Sequence, residues 1–360
     1  MRCSKKNLSN PFLTLGTIGF FDTMSIKKAK GKGYILKPKI IITRKLPDEL
    51  LKPLYEIGTV QMWGKESIPI PYEQLMNEAK EADALLTMLS DSIDEKLLRS
   101  AKQLKIVANL AVGFDNIDIK AATNNGIFVT NTPDVLTDTT ADLTFSLILM
   151  TARRLYEASH LVRTGQWKSW SPFFMAGTDV HHKKLGIVGM GRIGQAVAKR
   201  AKGFDMEISY YNRTRNLELE DRLGVTYKPF EDLIQTSDFI VNLTPLTEET
   251  KELFDRNVFK MMKNTAIFIN AGRGKSVNEE DLYHALKSGE IAGCGLDVFE
   301  KEPIDETHPL LSLNNVVVLP HIGSASVETR TKMIELAVEN IYSVLSGNSP
   351  VTLVNKELLK

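Results

Sequence analysis

The chain has 360 residues, 43% of them hydrophobic and 25% charged, which is ordinary for a globular protein with two cores and excludes fibrous, low-complexity and membrane-embedded classes. Its 45 Lys and Arg residues against 44 Asp and Glu leave a net charge of +1, so no global basic field recommends nucleic acid as a partner and any anion must be caught locally. Only Cys3 and Cys294 occur, which excludes a disulfide framework, fits a reducing cytoplasm and, without neighbouring soft ligands, predicts no metal site.

Residues 1–38 read as an extension outside the fold, expected to be disordered. The apolar patch from Pro11 to Phe21 lacks the length and cleavage site of a secretory signal. From Lys39 to Asp134, short apolar strands alternate with helical stretches: Lys39–Thr43, Ala84–Met88, Lys105–Ala108 and Ile127–Val129. That alternation predicts parallel strands covered by helices on both faces. A long helix follows over Thr137–Arg154, with Thr137, Asp138, Thr139 and Thr140 as cap candidates and an apolar run too short to span a bilayer.

The second unit opens on the strand Leu185–Val188, which runs into Gly189-Met190-Gly191-Arg192-Ile193-Gly194 and then a helical stretch. This spacing is that of a dinucleotide-binding turn. The first glycine permits the turn, the second lets backbone approach a diphosphate, and the third lets helix and strand pack. The next strand, Glu207–Tyr211, ends in Asn212-Arg213-Thr214-Arg215 with no carboxylate to accept from ribose hydroxyls. A cationic strand end suits a 2′-phosphate, so NADP(H) is expected over NAD(H), with NAD(H) as the alternative.

Further strands are expected at Phe239–Leu243, Ala266–Asn270, Gly293–Val298 and Val316–Leu319, then a helix over Val327–Leu345 long enough to return to the first unit. The expected fold is α/β with two Rossmann-like doubly wound domains. The nucleotide-binding domain (135–320) is inserted into a discontinuous substrate domain (39–134 and 321–360), with a cleft between them.

Three polar residues stand beyond strand ends in the second unit: Arg273, Glu302 and His321. Reducing a carbonyl needs a cation to hold an anionic substrate and an acid to protonate the oxygen. Arg273 suits the first role, His321 the second, and Glu302 could fix the imidazole tautomer; a surface arginine, a solvated glutamate and a backbone-bonded histidine are the competing readings. His160, His181, His182, His284 and His308 read as surface or structural.

The glycine turn, Asn270-Ala271-Gly272-Arg273-Gly274, Gly295-Leu296-Asp297-Val298, Glu300-Lys301-Glu302-Pro303 and Pro320-His321-Ile322-Gly323-Ser324 occur in an order that resembles the D-isomer-specific 2-hydroxyacid dehydrogenases. Within that family the segments Thr132–Asp142 and Gly165–Trp170 look most like the glyoxylate/hydroxypyruvate reductases, including the 2-ketogluconate reductase branch. The resemblance implies Arg273, Glu302 and His321 as the catalytic group, and Leu89, Ser90, Val112 and Gly113 as further substrate contacts. It assigns cofactor contacts to Gly189 through Gly194, Asn212, Arg213, Thr214, Thr244, Pro245, Ala271, Asp297 and Gly323. It also implies reduction of a small 2-oxo acid and a homodimer in which Trp170 reaches the neighbouring site, core or interface packing being the competing reading of Trp167 and Trp170. Phosphoglycerate dehydrogenase is a rival of the same class, and a dinucleotide-sensing corepressor is one of another class.

Overall fold

The computed structural model describes residues 37–359, so the expected extension lies outside the described residues except for Lys37 and Pro38. Five parallel strands, β1 (Lys39–Ile42), β2 (Thr59–Met62), β3 (Ala84–Thr87), β4 (Ile106–Asn109) and β5 (Phe128–Thr130), form a first sheet in the order β2-β1-β3-β4-β5. β3 and β4 are buried along their whole length and β1 along nearly all of it, as near-continuous apolar runs require when helices cover both faces.

The chain then builds a second, seven-stranded parallel sheet from β6 (Lys184–Val188), β7 (Glu207–Tyr211), β8 (Thr226–Tyr227), β9 (Phe239–Asn242), β10 (Ile267–Asn270), β11 (Gly293–Leu296) and β12 (Val316–Val318). Their order, β12-β11-β10-β9-β6-β7-β8, reverses direction between β6 and β9. Both sheets are Rossmann-like, and in such sheets ligands bind beyond the carboxyl ends of the strands where the order reverses. In the first sheet that point lies between β1 and β3.

Two long helices tie the architecture together. Helix Thr137–Ala152 packs on helix Arg192–Lys202 and on β10 and β11, burying Leu147 and Ile148 beside Val197, Ile187 and Ile269. Helix Val327–Leu345 returns to the first sheet, where Ile334, Ala337 and Ile341 join the core of Ile40, Leu86 and Ile106. Beyond it, the buried Asn355 accepts from the N–H of Val129 at 2.9 Å and donates to the carbonyl of Ile127 at 2.9 Å, and Leu353 bridges Thr130.

Three local departures from the sequence reading have physical causes. β2 and β8 are half-exposed edge strands without an apolar run, so nothing in their composition announces them. Thr137 is itself the first helical residue, after Leu136, and no side chain caps the helix. The Thr139 hydroxyl instead meets that of Thr329 at 2.6 Å, joining the two long helices. The exposed helix Leu155–Arg163, absent from the sequence reading, buries no residue.

Candidate active site

At the reversal point of the second sheet, Gly189 has φ +99, and a Cβ there would lie 2.7 Å from the carbonyl carbon of Leu243. At Gly194 a Cβ would lie 2.6 Å from the Gly189 oxygen, so strand and helix close together only with glycine at both positions. Gly191 differs, because a Cβ there would meet nothing within 4 Å. The open space lies at the start of helix Arg192–Lys202, whose N-terminus has no side-chain cap. Free N–H groups at the positive end of a helix, beside a bare backbone, fit a diphosphate.

Around this turn, Asn212 Oδ1 accepts from the Met190 N–H at 2.7 Å, and Thr244 is held by Asn242 through both its N–H and its hydroxyl. Arg215 is engaged by Glu220 through two nitrogens at 2.8 Å. Arg213 and Thr214 are exposed at the same strand end, and Arg213 forms no ion pair among the described residues. Its field makes a small contribution to lowering the Glu249 carboxyl, which the Thr247 hydroxyl chiefly lowers. Pro245 is exposed beside Thr244.

The reversal point of the first sheet faces the same cleft. Met88 to Asp91 follow β3, and the buried Asp91 accepts from the Met88 N–H at 2.8 Å and from the Thr43 hydroxyl. Burial pushes the Asp91 carboxyl above its usual range, against these hydrogen bonds and Arg44. Arg44 in turn donates to the Ser90 hydroxyl at 2.9 Å, fixing the loop that presents Leu89 and Ser90. After β4, the carbonyls of Val112 and Gly113 accept from Asn131 at 2.7 Å and Asn109 at 2.9 Å. Their N–H groups donate to no described residue, which leaves two oriented donors beside the cleft.

Arg273 reaches this point from the other sheet. Its Nε donates to Asp115 at 2.8 Å and its Nη1 to the carbonyl of Gly272 at 2.9 Å. Its Nη2 lies where a side chain on Gly113 would be, 1.3 Å from the position of a Cβ. Asn270 secures the backbone of Arg273 by donating to its carbonyl at 3.0 Å. Two guanidinium nitrogens are therefore engaged, and the third is aimed at the Val112–Gly113 peptides.

His321 has the left-handed backbone angle φ 53, a costly conformation for a non-glycine residue and one found at functional sites. Asp297 holds that turn by accepting from the N–H groups of Ile322 and Gly323, both at 2.8 Å. Burial raises the Asp297 carboxyl above the ordinary range, against those two bonds and the nearby His321. The His321 Nδ1 lies 2.7 Å from Glu302 Oε2, while Glu302 Oε1 accepts from the Phe299 N–H at 3.0 Å. A carboxylate can only accept, so Nδ1 carries the proton and Nε2 is left to the cleft.

Leu89, Arg273 and His321 line both adjoining parts of this cleft. Val112, Gly113, Ala271, Asp297 and Gly323 line one part, and Ser90 and Glu302 the other. The sequence reading missed Asp115, Asn109, Asn131 and Arg330, all of which lie at the cleft or hold its walls. A hollow at the opposite ends of β10–β12, beside Thr151, Arg154 and Asn315, contains none of the candidate residues. Among the described residues no group of three or more His, Cys, Asp or Glu could hold a metal ion, and no helix is long and apolar enough to cross a membrane.

The model of the D-isomer specific 2-hydroxyacid dehydrogenase NAD binding domain matches residues 145–323. A glyoxylate reductase of Pyrococcus horikoshii is 52% identical over 329 residues, which cover 90% of this chain and 98% of that protein. A glyoxylate reductase of Thermococcus kodakarensis is 50% identical, again covering 90% of this chain and 98% of that protein. A structure of an NADPH-dependent glyoxylate/hydroxypyruvate reductase from Sinorhizobium meliloti, in complex with NADP and malonate, superposes with a TM-score of 0.80 at 34% identity, covering 88% of this chain and 97% of that one. On this likeness over nearly its whole described length, the chain belongs to the D-isomer-specific 2-hydroxyacid dehydrogenase family, oxidoreductases that use a nicotinamide dinucleotide.

Proposed function

We propose that this protein reduces small 2-oxo acids, glyoxylate and hydroxypyruvate, to the corresponding 2-hydroxy acids, achiral glycolate and the D-isomer of glycerate, with NADPH. The observation that carries the reading is the convergence of Arg273, from one sheet, on the free N–H groups of Val112 and Gly113, from the other, beside the Glu302–His321 pair. The division is a substrate lobe of residues 39–134 and 321–360 and a nucleotide lobe of residues 135–320.

The cofactor, when bound, supplies the hydride. The substrate carboxylate is held between Arg273 Nη2 and the Val112 and Gly113 N–H groups, which places its neighbouring carbonyl against His321. Reduction at C2 requires a proton at the carbonyl oxygen, which His321 Nε2 is placed to give while Glu302 holds the ring at Nδ1. Gly191 and the N-terminus of helix Arg192–Lys202 receive the diphosphate, with Ala271, Asp297 and Gly323 around the nicotinamide. Oxidation of reduced nicotinamide, followed by absorbance with NADPH or NADH against glyoxylate, hydroxypyruvate, 2-ketogluconate and pyruvate, tests this reading. Cofactor binding without turnover of any of them would refute it.

Gly113→Ala is expected to lower the melting temperature only modestly, because what lies in its way is Nη2 at the end of the Arg273 side chain, whose displacement costs its bonds to Asp115 and Gly272 but no core packing. Displacing that nitrogen should nevertheless lower kcat/KM for the oxo acid on the order of 10- to 100-fold, since misplacement by about 1 Å suffices for such losses.

The preference for NADPH rests on Arg213, because Asn212 and Arg215 are engaged by Met190 and Glu220. Replacing Arg213 by Ala should raise the KM for NADPH by roughly 10- to 100-fold, the worth of a charge-assisted phosphate contact. The KM for NADH should move far less. Equal efficiency of the unmodified enzyme with both cofactors would overturn the preference.

A homodimer completes the proposal, in a cytoplasmic enzyme. Tyr156 is 62%, Val162 60%, Trp170 77% and Phe173 88% exposed within one segment, an apolar concentration that isolated soluble protomers rarely present. Trp167 and Trp170 are thus outside the protomer's own core, and their segment is the surface offered to a second copy.

A further inference from the structure

The cleft contains a second arginine that the chemistry above does not use. Arg330 lies in the first turn of helix Val327–Leu345, with Ser326 as the cap accepting from Thr329. A cation near a helix N-terminus opposes the macrodipole, so this position is electrostatically unfavourable for arginine on structural grounds alone. Arg330 forms no ion pair among the described residues, the field of the nearby Asp297 being its one carboxylate influence, and its one hydrogen bond there is long, from Nε to the Ser324 carbonyl at 3.4 Å.

Its direction is set by the helix. Met333, one turn on and on the same face, lines the cleft with it, together with Leu89, Gly113, Arg273 and Ser324. The residue as a whole is exposed, yet its head group is crowded enough that desolvation lowers its pKa from the ordinary arginine value, with Asp297 opposing. A planar fork of donors with only one long hydrogen bond and no ion pair among the described residues therefore borders the space beside the carboxylate cradle, which already has its own cation in Arg273.

We propose that Arg330 binds the oxygen on C3 of the substrate, making it a specificity-determining residue that favours 2-oxo acids hydroxylated at C3. The assignment rests on the oxo-acid reductase reading. Glyoxylate has no C3 and can make no such contact, whereas hydroxypyruvate carries a hydroxyl there for the guanidinium to donate to. A hydrogen bond from a charged donor in a partly enclosed cleft is sufficient to discriminate between the two.

The test measures kcat/KM for hydroxypyruvate and for glyoxylate, with NADPH saturating, in the unmodified full chain, Arg330→Met and Arg330→Lys. The ratio of hydroxypyruvate to glyoxylate efficiency should fall by roughly 10- to 100-fold in Arg330→Met, with partial recovery in Arg330→Lys. A ratio unchanged in Arg330→Met overturns the assignment, whether both substrates lose together, neither does, or only the KM for NADPH moves. If the unmodified chain reduces neither substrate, the oxo-acid reading itself falls, and the role of Arg330 falls with it.

Discussion

His321→Ala is expected to lower kcat by roughly 10²- to 10⁴-fold with cofactor affinity intact, the range by which a positioned general acid accelerates proton transfer. The expectation comes from the geometry around the ring. Nδ1 is tied to Glu302 at 2.7 Å, Glu302 is itself fixed by the Phe299 N–H, and the backbone turn is held by both oxygens of Asp297. The imidazole thus faces the cleft with one nitrogen already assigned. Glu302→Gln removes the negative charge beside the ring and one of the two acceptor oxygens that serve Nδ1 and the Phe299 N–H, yet leaves the imidazole in place, giving a smaller loss in kcat. Single-turnover reduction, with cofactor binding measured separately by fluorescence, separates the two effects. A rate in His321→Ala within a few-fold of the original would remove His321 from the chemistry.

Arg273→Ala should cost roughly 10²- to 10³-fold in kcat/KM, as loss of one preorganised donor to a developing charge does elsewhere. Part of this should appear in KM, because the same guanidinium is proposed to hold the carboxylate, and part in kcat, because it polarises the carbonyl. Arg273→Lys should recover little. A lysine ammonium cannot engage Asp115, the Gly272 carbonyl and the substrate in the fixed plane that the guanidinium occupies. Steady-state kinetics on both variants check this, and a change confined to the cofactor KM would contradict it.

Much of the architecture was readable from the chain because parallel strands buried on both faces need unbroken apolar runs. Ile40–Ile42, Leu185–Val188 and Ile267–Ile269 supply them. Arg273, Glu302 and His321 could be singled out because they sit just beyond such strands in short polar motifs. Their supports could not. Asp115 lies 158 positions from the arginine it holds, and nothing local marks it as that partner. The same applies to Asn109 and Asn131, whose amides turn two carbonyls away from the cleft, and to Arg330, which reads in sequence as one more charge on a helix surface. The edge strands β2 and β8 escaped for a different reason, since half-exposed backbone pairing leaves no hydrophobic signature.

The closure of the first sheet by Asn355 bears on how the molecule is made. That side chain bonds Val129 and Ile127 across 226 and 228 positions, so the lobe whose strands leave the ribosome first is completed only after the whole second sheet has been synthesised. Until then the pairing of β5 with residues 353–355 is missing, and the apolar bed for Ile334, Ala337 and Ile341 stays uncovered. The proposed nucleotide lobe, contiguous over residues 135–320, has no such dependence and is expected to fold while its neighbour waits. Nascent chains of this topology are therefore expected to pass through a stage in which one half is native and the other is a sticky, unfinished sheet. This is the stage at which chaperone capture or aggregation competes with folding.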